Sequence, residues 1–293
     1  KSLKCKDFIY DYTFFNVRIE NSNSVVMKRK NPIRFIVARI LMRTGLCRFL
    51  LLKQKNYILR FFPTPFLREL WIDKEYQHTA NIFFSDYLKF GDAVIDIGAN
   101  IGTVTLESAV KVSSKGRVYS IEPDKKIFKF LAENIKLNNL QNVKIFNVAL
   151  GEKNNSVFFS NKRSDDLNSV SITEEGEEIS LCKLDDLPIN ESKINLMKID
   201  VLGYEKFVFG GAKKILKITE CIHLPIIPSD CKRYGYDFND IFEMLRNLGF
   251  QLFTFSEKNI SVIKSNFNPK SQDVLAVKDL EDFLARTKYT LVK

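Results

Sequence analysis

Residues 96–102, Asp-Ile-Gly-Ala-Asn-Ile-Gly, place a carboxylate, two glycines and an asparagine within a single turn's length of chain. Gly98 and Gly102 let the backbone bend tightly and admit a ligand where a Cβ would block it. The apolar run Val94–Ile97 before them reads as a buried parallel strand, and Thr103–Val112 after them as a helix. Strand, glycine turn and helix bring backbone N–H groups to a nucleotide-like ligand. The spacing Gly98-x-Asn100-x-Gly102 is not the Gly-x-Gly-x-x-Gly of a dinucleotide fingerprint. Glu122 ends the next predicted strand, Arg117–Ile121, 20 residues beyond Gly102, where a ribose-binding acid belongs. A glycine turn without the full pyrophosphate cradle, followed by a ribose acid, suits a nucleoside with a small charged tail. S-adenosylmethionine has that form. The turn alone would also close an ordinary βα unit; Glu122 at this distance tips the reading.

The elements that must hold these residues alternate from residue 93 onward. Strands are expected at 94–97, 117–121, 144–148, 195–199 and 221–226, with helices at 103–112, 125–137, 204–216 and 238–248. Such alternation predicts a parallel, doubly wound sheet. Residues 151–185 interrupt it as an insertion with short antiparallel strands at 156–160, 169–173 and 178–182. Strands at 251–255 and 274–277, a hairpin near Asn259 and a helix at 280–286 close the chain. Upstream, 57–62 reads as a strand and 66–88 mostly as helix. This aromatic-rich segment includes Phe61, Phe62, Trp71, Phe83 and Tyr87 and is placed over the strand tips. The expected organisation is a basic extension over 1–56, a cap segment over 57–90 and a ligand-binding domain over 91–293.

The chain has 293 residues, 45% of them hydrophobic, enough for one α/β domain with an extension. No apolar run reaches the roughly 18 residues of a membrane span. Five cysteines (Cys5, Cys47, Cys182, Cys221, Cys231) form no Cys-x-x-Cys pair, and there are two histidines. A zinc site and a disulfide framework are therefore not expected, no metal is expected, and a reducing, cytoplasmic setting is. The chain begins at Lys1 and not Met, so residues before Lys1 are not excluded. The net charge of +10 is uneven: residues 1–60 carry 14 Lys or Arg and 3 Asp or Glu, while the remainder nets −1. Residues 33–51 read as a basic amphipathic helix, broken near Gly45, with Arg34, Arg39, Arg43 and Arg48 among apolar residues. Such a helix can lie on an anionic membrane surface or meet phosphates, or present a solvated basic face while packing on the main domain.

The ordered set Asp96-Ile-Gly-Ala-Asn-Ile-Gly102, Glu122-Pro123, Asn134-Ile-x-Leu-Asn138, Ala149-Leu-Gly151, Leu184-Asp-Asp-Leu187, Lys198-Ile-Asp-Val201 with Gly203-Tyr-Glu205, and Gly211-Ala212 resembles FkbM-type methyltransferases dependent on S-adenosylmethionine. The resemblance covers about residues 57–290. It implies the class I methyltransferase (Rossmann-like) fold, with seven strands of which the last is antiparallel. It also implies S-adenosylmethionine as methyl donor and a hydroxyl acceptor on a sugar or natural product. By motif position, Asp96, Gly98, Asn100 and Gly102 would hold the methionine part, Glu122 the ribose, and Asn147 to Ala149 would border the adenine. Asp200 would face the acceptor. The resemblance departs at two places. Leu202 stands where the family usually has Glu, and Pro225 lies near a second position often occupied by Glu.

Methyl transfer needs alignment of donor and acceptor, and a hydroxyl acceptor must also lose a proton. Asp200 is the first candidate base, followed by Glu205 and His223. Each has a structural alternative: a helix-capping acid for Asp200, an exposed or capping first-turn acid for Glu205, a core histidine for His223. Arg163-Ser-Asp165-Asp166 could bind a polar acceptor or form a solvated turn. The expected activity is O-methylation of a small molecule, a glycan or a lipid-linked glycan. The alternatives are an RNA methyltransferase gripping phosphates through the basic extension, and a protein that binds S-adenosylmethionine without turnover. No Asn-Pro-Pro-Tyr follows the fourth strand and no Pro-Cys is present, which disfavours base methylation. Peripheral membrane contact through residues 33–51 is a further expectation.

Overall fold

The computed structural model describes residues 31–73, 78–160, 169–171, 176–256 and 258–292. Its N-terminal part starts with α1 (Pro32–Thr44), which opens with Pro at the first helical position and ends at Gly45 in the left-handed conformation. The break expected near Gly45 is present, and beyond it only a 3-10 turn (Leu46–Phe49) is helical. After a 3-10 turn the chain becomes β1 (Leu51–Lys53), paired antiparallel with β2 (Ile58–Arg60). Helix α2 (Pro65–Ile72) is capped by the Thr64 hydroxyl, which accepts from the Leu67 N–H. Helix α3 (His78–Tyr87) follows, so the mostly helical stretch expected from 66 to 88 contains two helices.

The large sheet begins with β3 (Ala93–Ile97), buried at every residue, then α4 (Thr103–Val112), β4 (Arg117–Ile121), α5 (Lys125–Leu137) and β5 (Val143–Phe146). Asp124 caps α5 by accepting from the N–H groups of Lys126 and Ile127. The insertion is a small sheet of β6 (Ala149–Leu150), β7 (Asn155–Phe159) and β8 (Glu177–Cys182), in the order β6-β8-β7. Its predicted strand at 169–173 falls partly outside the described residues; Val170 makes one antiparallel bridge to Phe159. The loop Arg163–Asp166 lies outside them altogether.

The chain returns to the large sheet with β9 (Ile194–Ile199). The helix predicted over 204–216 is broken into α6 (Glu205–Gly210) and α7 (Lys213–Lys217), because Gly211 packs against the Gly151 carbonyl too closely for a side chain. Then come β10 (Thr219–Ile226), α8 (Pro228–Arg233), α9 (Phe238–Asn247), β11 (Gln251–Ser256), β12 (Asn259–Val262), β13 (Gln272–Val277), α10 (Leu280–Arg286) and β14 (Thr290–Val292). Pro228 starts a helix and does not merely stop a strand, since its fixed φ suits the first helical position.

The strand order is β14-β12-β11-β13-β10-β9-β3-β4-β5. From β5 to β10 all neighbours are parallel; β13 lies antiparallel between β10 and β11. This is the class I methyltransferase arrangement, a seven-stranded set with its last strand reversed. Two edge strands, β12 and β14, extend it to nine among the described residues. β12 forms the hairpin expected near Asn259 with β11, while the short edge strand β14 was not anticipated in the sequence.

Both faces are covered. Ile95, Ile97, Met197, Ile199, Ile222 and Leu224 pack with α6, α7 and α9 on one side. Val94, Val118, Leu196, Cys221 and Leu275 pack with α3, α4 and α10 on the other. A third cluster joins Ala38, Leu59, Phe62 and Leu67 of the N-terminal elements to Ile101, Leu106 and Phe130. The cap aromatics Phe61, Phe62, Phe83, Phe84 and Tyr87 are core residues in these clusters, with Phe62 stacked on Phe130 at 3.9 Å between ring centroids.

Candidate functional site

The turn after β3 takes left-handed angles at three alternate residues, Gly98 (φ +74°), Asn100 (φ +50°) and Gly102 (φ +97°). A Cβ on Gly98 would run into the Asp200 carbonyl oxygen, so the residue type is required by the close approach of two strand ends. Glu122 reaches this turn. Its Oε2 accepts the Asn100 N–H at 2.8 Å and its Oε1 the Asp124 N–H at 2.9 Å. Burial pushes the Glu122 carboxyl up to about 7 despite both bonds. Asn147 lies beside it and donates to the carbonyl oxygens of Glu122 (2.9 Å) and Pro123 (3.0 Å). Ala149 is buried in the hydrophobic cluster of the small sheet with Phe159, Ile179 and Leu181.

Beneath the turn runs a polar row across the sheet. Strand register sets Ser120 beside Asp96, Asp96 beside Lys198, and Lys198 beside His223. Asp96 is fully buried; its Oδ2 accepts the Thr105 hydroxyl at 2.6 Å, and Thr105 bonds Ser120 at 2.9 Å. Lys198 Nζ donates to the Gly98 carbonyl at 2.7 Å and to the Ile97 carbonyl at 3.3 Å. It lies 3.5 Å from Asp96 Oδ1 and 3.9 Å from Asp200 Oδ2. Lys198 thus ties the glycine turn to the end of β9. The sequence signal was available: a cation inside an otherwise apolar strand must find partners, because burying it alone is costly.

The three predicted acid–base residues occupy different surroundings. The Asp200 side chain is 38% exposed and stands just past β9. Together with Leu202, Gly203, Glu205, Pro225 and Ile227 it lines a hollow beside the strand tips. Glu205 is buried. Its Oε1 accepts the N–H groups of Val201 and Gly203, both at 3.2 Å, and its Oε2 lies 3.3 Å from the Tyr236 hydroxyl. Burial raises Glu205 to about 7. His223 is packed among Phe83, Phe84 and Phe255, and neither ring nitrogen has a hydrogen-bond partner. Burial lowers it to about 4. Asp273, which sequence reasoning missed, approaches His223 Nε2 at 4.0 Å from β13, and burial raises its carboxyl to about 6.

Two more residues went unassigned in the sequence. Asn134 donates to the Ile101 carbonyl and accepts the Arg60 N–H; Asn138 accepts the Ile58 N–H and donates back to the Ile58 carbonyl. These side chains bind β2 to α5, and Asn134 also holds the glycine turn, so the N-terminal hairpin is part of the site's support.

The residues present fit S-adenosylmethionine. Asp96 Oδ1 is a buried oxygen with no hydrogen bond, its nearest cation being Lys198 at 3.5 Å, and Glu122 still has acceptor lone pairs. Acidic oxygens exceed cations around the turn, as a ligand carrying a sulfonium and an ammonium requires.

The chain is similar to several known proteins. The chain is 33% identical over 94 residues to a Sulfolobus acidocaldarius protein named "Probable cobalt-precorrin-6B C(15)-methyltransferase (decarboxylating)", covering 31% of this chain and 46% of that one. A Saccharolobus solfataricus protein of the same name is 36% identical over 61 residues, 20% of this chain and 31% of that one. The chain thus spans less than half the length of these curated relatives. Among solved structures, a SAM-dependent methyltransferase from Aquifex aeolicus aligns with TM-score 0.44 and 12% identity, covering 71% of this chain and 94% of that one. A SAM-dependent O-methyltransferase from Thermotoga maritima aligns with TM-score 0.41 and 12% identity, covering 79% and 86%. The model of the methyltransferase FkbM domain matches residues 96–252, more than half of the sequence, and the chain belongs to this methyltransferase family, whose cofactor is S-adenosylmethionine.

Proposed function

We propose that this protein methylates a hydroxyl group on a small molecule, a glycan or a lipid-linked glycan. S-adenosylmethionine supplies the methyl group as an electrophile on a sulfonium. Glu122 would hold its ribose hydroxyls, Asp96, Gly98, Asn100 and Gly102 its methionine end, and Asn147 and Ala149 would border its adenine. The observation that carries the reading is Asp200. It is a solvent-reachable carboxylate one residue beyond β9, with its backbone pressed against Gly98 and Lys198 within 3.9 Å. A carboxylate there can accept the proton of an acceptor hydroxyl. Glu205 and His223 have no comparable access. We assign Glu205 to positioning the 201–203 loop and His223 to the packing under α3.

The test is turnover with hydroxylated acceptors, beside calorimetric binding of S-adenosylhomocysteine. Asp200→Asn is expected to lower kcat about 10²-fold or more while leaving that affinity within a few fold. Loss of binding with unchanged turnover per bound cofactor would refute the assignment. A second reading, binding without turnover, is supported by Leu202. It stands where the resemblance implies Glu, and it holds φ +54°, a conformation costly for a branched apolar side chain. Methylation that emerges in Leu202→Glu and is absent from the native chain would favour that second reading.

A further inference from the structure

Helix α1 presents its apolar side to solvent. Phe35 and Ala38 are the residues it buries against the body. Ile33, Ile36, Val37 and Ile40 stand at helical spacing on the opposite side and are all exposed, Ile33 at 77% and Ile40 at 57%. At 100° per residue these four span an arc of about 100°. The stripe continues past Gly45 in Leu46, Phe49 (80% exposed) and Leu51. A surface helix ordinarily turns polar residues outward, so a contiguous aliphatic face marks an interaction surface.

The charge around the stripe is of one sign. From residue 31 to residue 68 the sequence has eight Lys or Arg and no Asp or Glu. Arg39, Arg43, Arg48 and Lys53 are exposed on α1 and the segment that follows it. We infer that this face seats on an anionic lipid bilayer, with the aliphatic stripe entering the headgroup boundary and the arginines pairing with lipid phosphates. A second copy of the chain would bring like charges together across the contact. RNA has use for the arginines but none for an aliphatic stripe. An anionic bilayer satisfies both features. The hairpin β1–β2 and Asn134 link this face to the glycine turn, so docking would hold the methyl-transfer site beside the membrane, where a lipid-linked acceptor is met.

The test uses the full chain and extruded vesicles of phosphatidylcholine, with and without about one third phosphatidylglycerol. Co-sedimentation with the anionic vesicles is expected, weakening as salt is added. Arg39→Glu/Arg43→Glu is expected to lower the partition coefficient by at least roughly fivefold per charge site, and Ile36→Glu/Ile40→Glu by roughly tenfold or more. All four positions are exposed, so circular dichroism and S-adenosylhomocysteine affinity should stay those of the native chain. Ile33→Trp supplies an independent readout, an emission shift to the blue on anionic vesicles. No sedimentation at low salt would overturn the inference. So would sedimentation undiminished in Ile36→Glu/Ile40→Glu, or a lipid-free dimer that this double variant dissociates.

Discussion

Replacing Glu122 by Gln separates ligand recognition from folding. In the free protein the carboxylate is buried and accepts two backbone N–H bonds, from Asn100 and Asp124. Its rise from an ordinary 4.5 to about 7 corresponds to about 3 kcal/mol favouring the neutral form. Because the folded value is raised, this stabilisation is present below about pH 4.5 and is lost as pH climbs to about 7. Gln removes the buried charge but turns an NH2 toward one of the two N–H donors, a cost of about 1–3 kcal/mol. The two terms oppose each other, so the melting temperature at about pH 8 should change little. Affinity should change a great deal. A ribose hydroxyl bonded to a carboxylate contributes about 1.5–3 kcal/mol, so its loss weakens S-adenosylhomocysteine binding roughly 10- to 150-fold. In the native chain affinity should climb as pH passes through about 7, where Glu122 ionises, and in the variant it should stay flat. Calorimetric titration from about pH 6 to pH 8 measures both. A well-folded variant that binds within twofold of the native chain at pH 8 would refute the ribose-acid reasoning.

Glu205→Gln should raise stability at alkaline pH by about 1–2 kcal/mol and leave it unchanged near pH 5. The amide oxygen can keep the Val201 and Gly203 N–H bonds while its NH2 donates to Tyr236, which already gives its own proton to the Gly203 carbonyl. Thermal melts at the two pH values check this, and an equal shift at both would contradict a neutral Glu205 in the fold. His223→Phe should be neutral or stabilising by about 1 kcal/mol, since two unpartnered ring nitrogens are replaced inside a cluster of phenylalanines. If methylation disappears in that variant while the melt is preserved, His223 has a chemical role after all.

The backbone frame of the candidate site was legible in the residue order. Local chemistry dictated it: a glycine turn needs left-handed angles only Gly and Asn take easily, a carboxylate at the next strand end must meet that turn, and alternating apolar runs of strand and helix length force a parallel sheet. Glu122 does meet the turn, through the Asn100 N–H, whereas the contact of Gly98 with the Asp200 carbonyl joins strand ends far apart in the chain and came from the tertiary structure. Other features depended on contacts between residues far apart in the chain, which no local pattern encodes. Lys198 became the cation under the turn because sheet register set β9 beside β3. His223 proved to lie among aromatic rings from α3 and β11, and Asn134 to hold both β2 and the turn. The direction of α1 was likewise settled only in three dimensions. Its sequence sets arginines among apolar residues without fixing which apolar side turns inward, and packing Phe35 and Ala38 inward leaves Ile33, Ile36 and Ile40 outside, because a helix of that width can bury one side against a single neighbour.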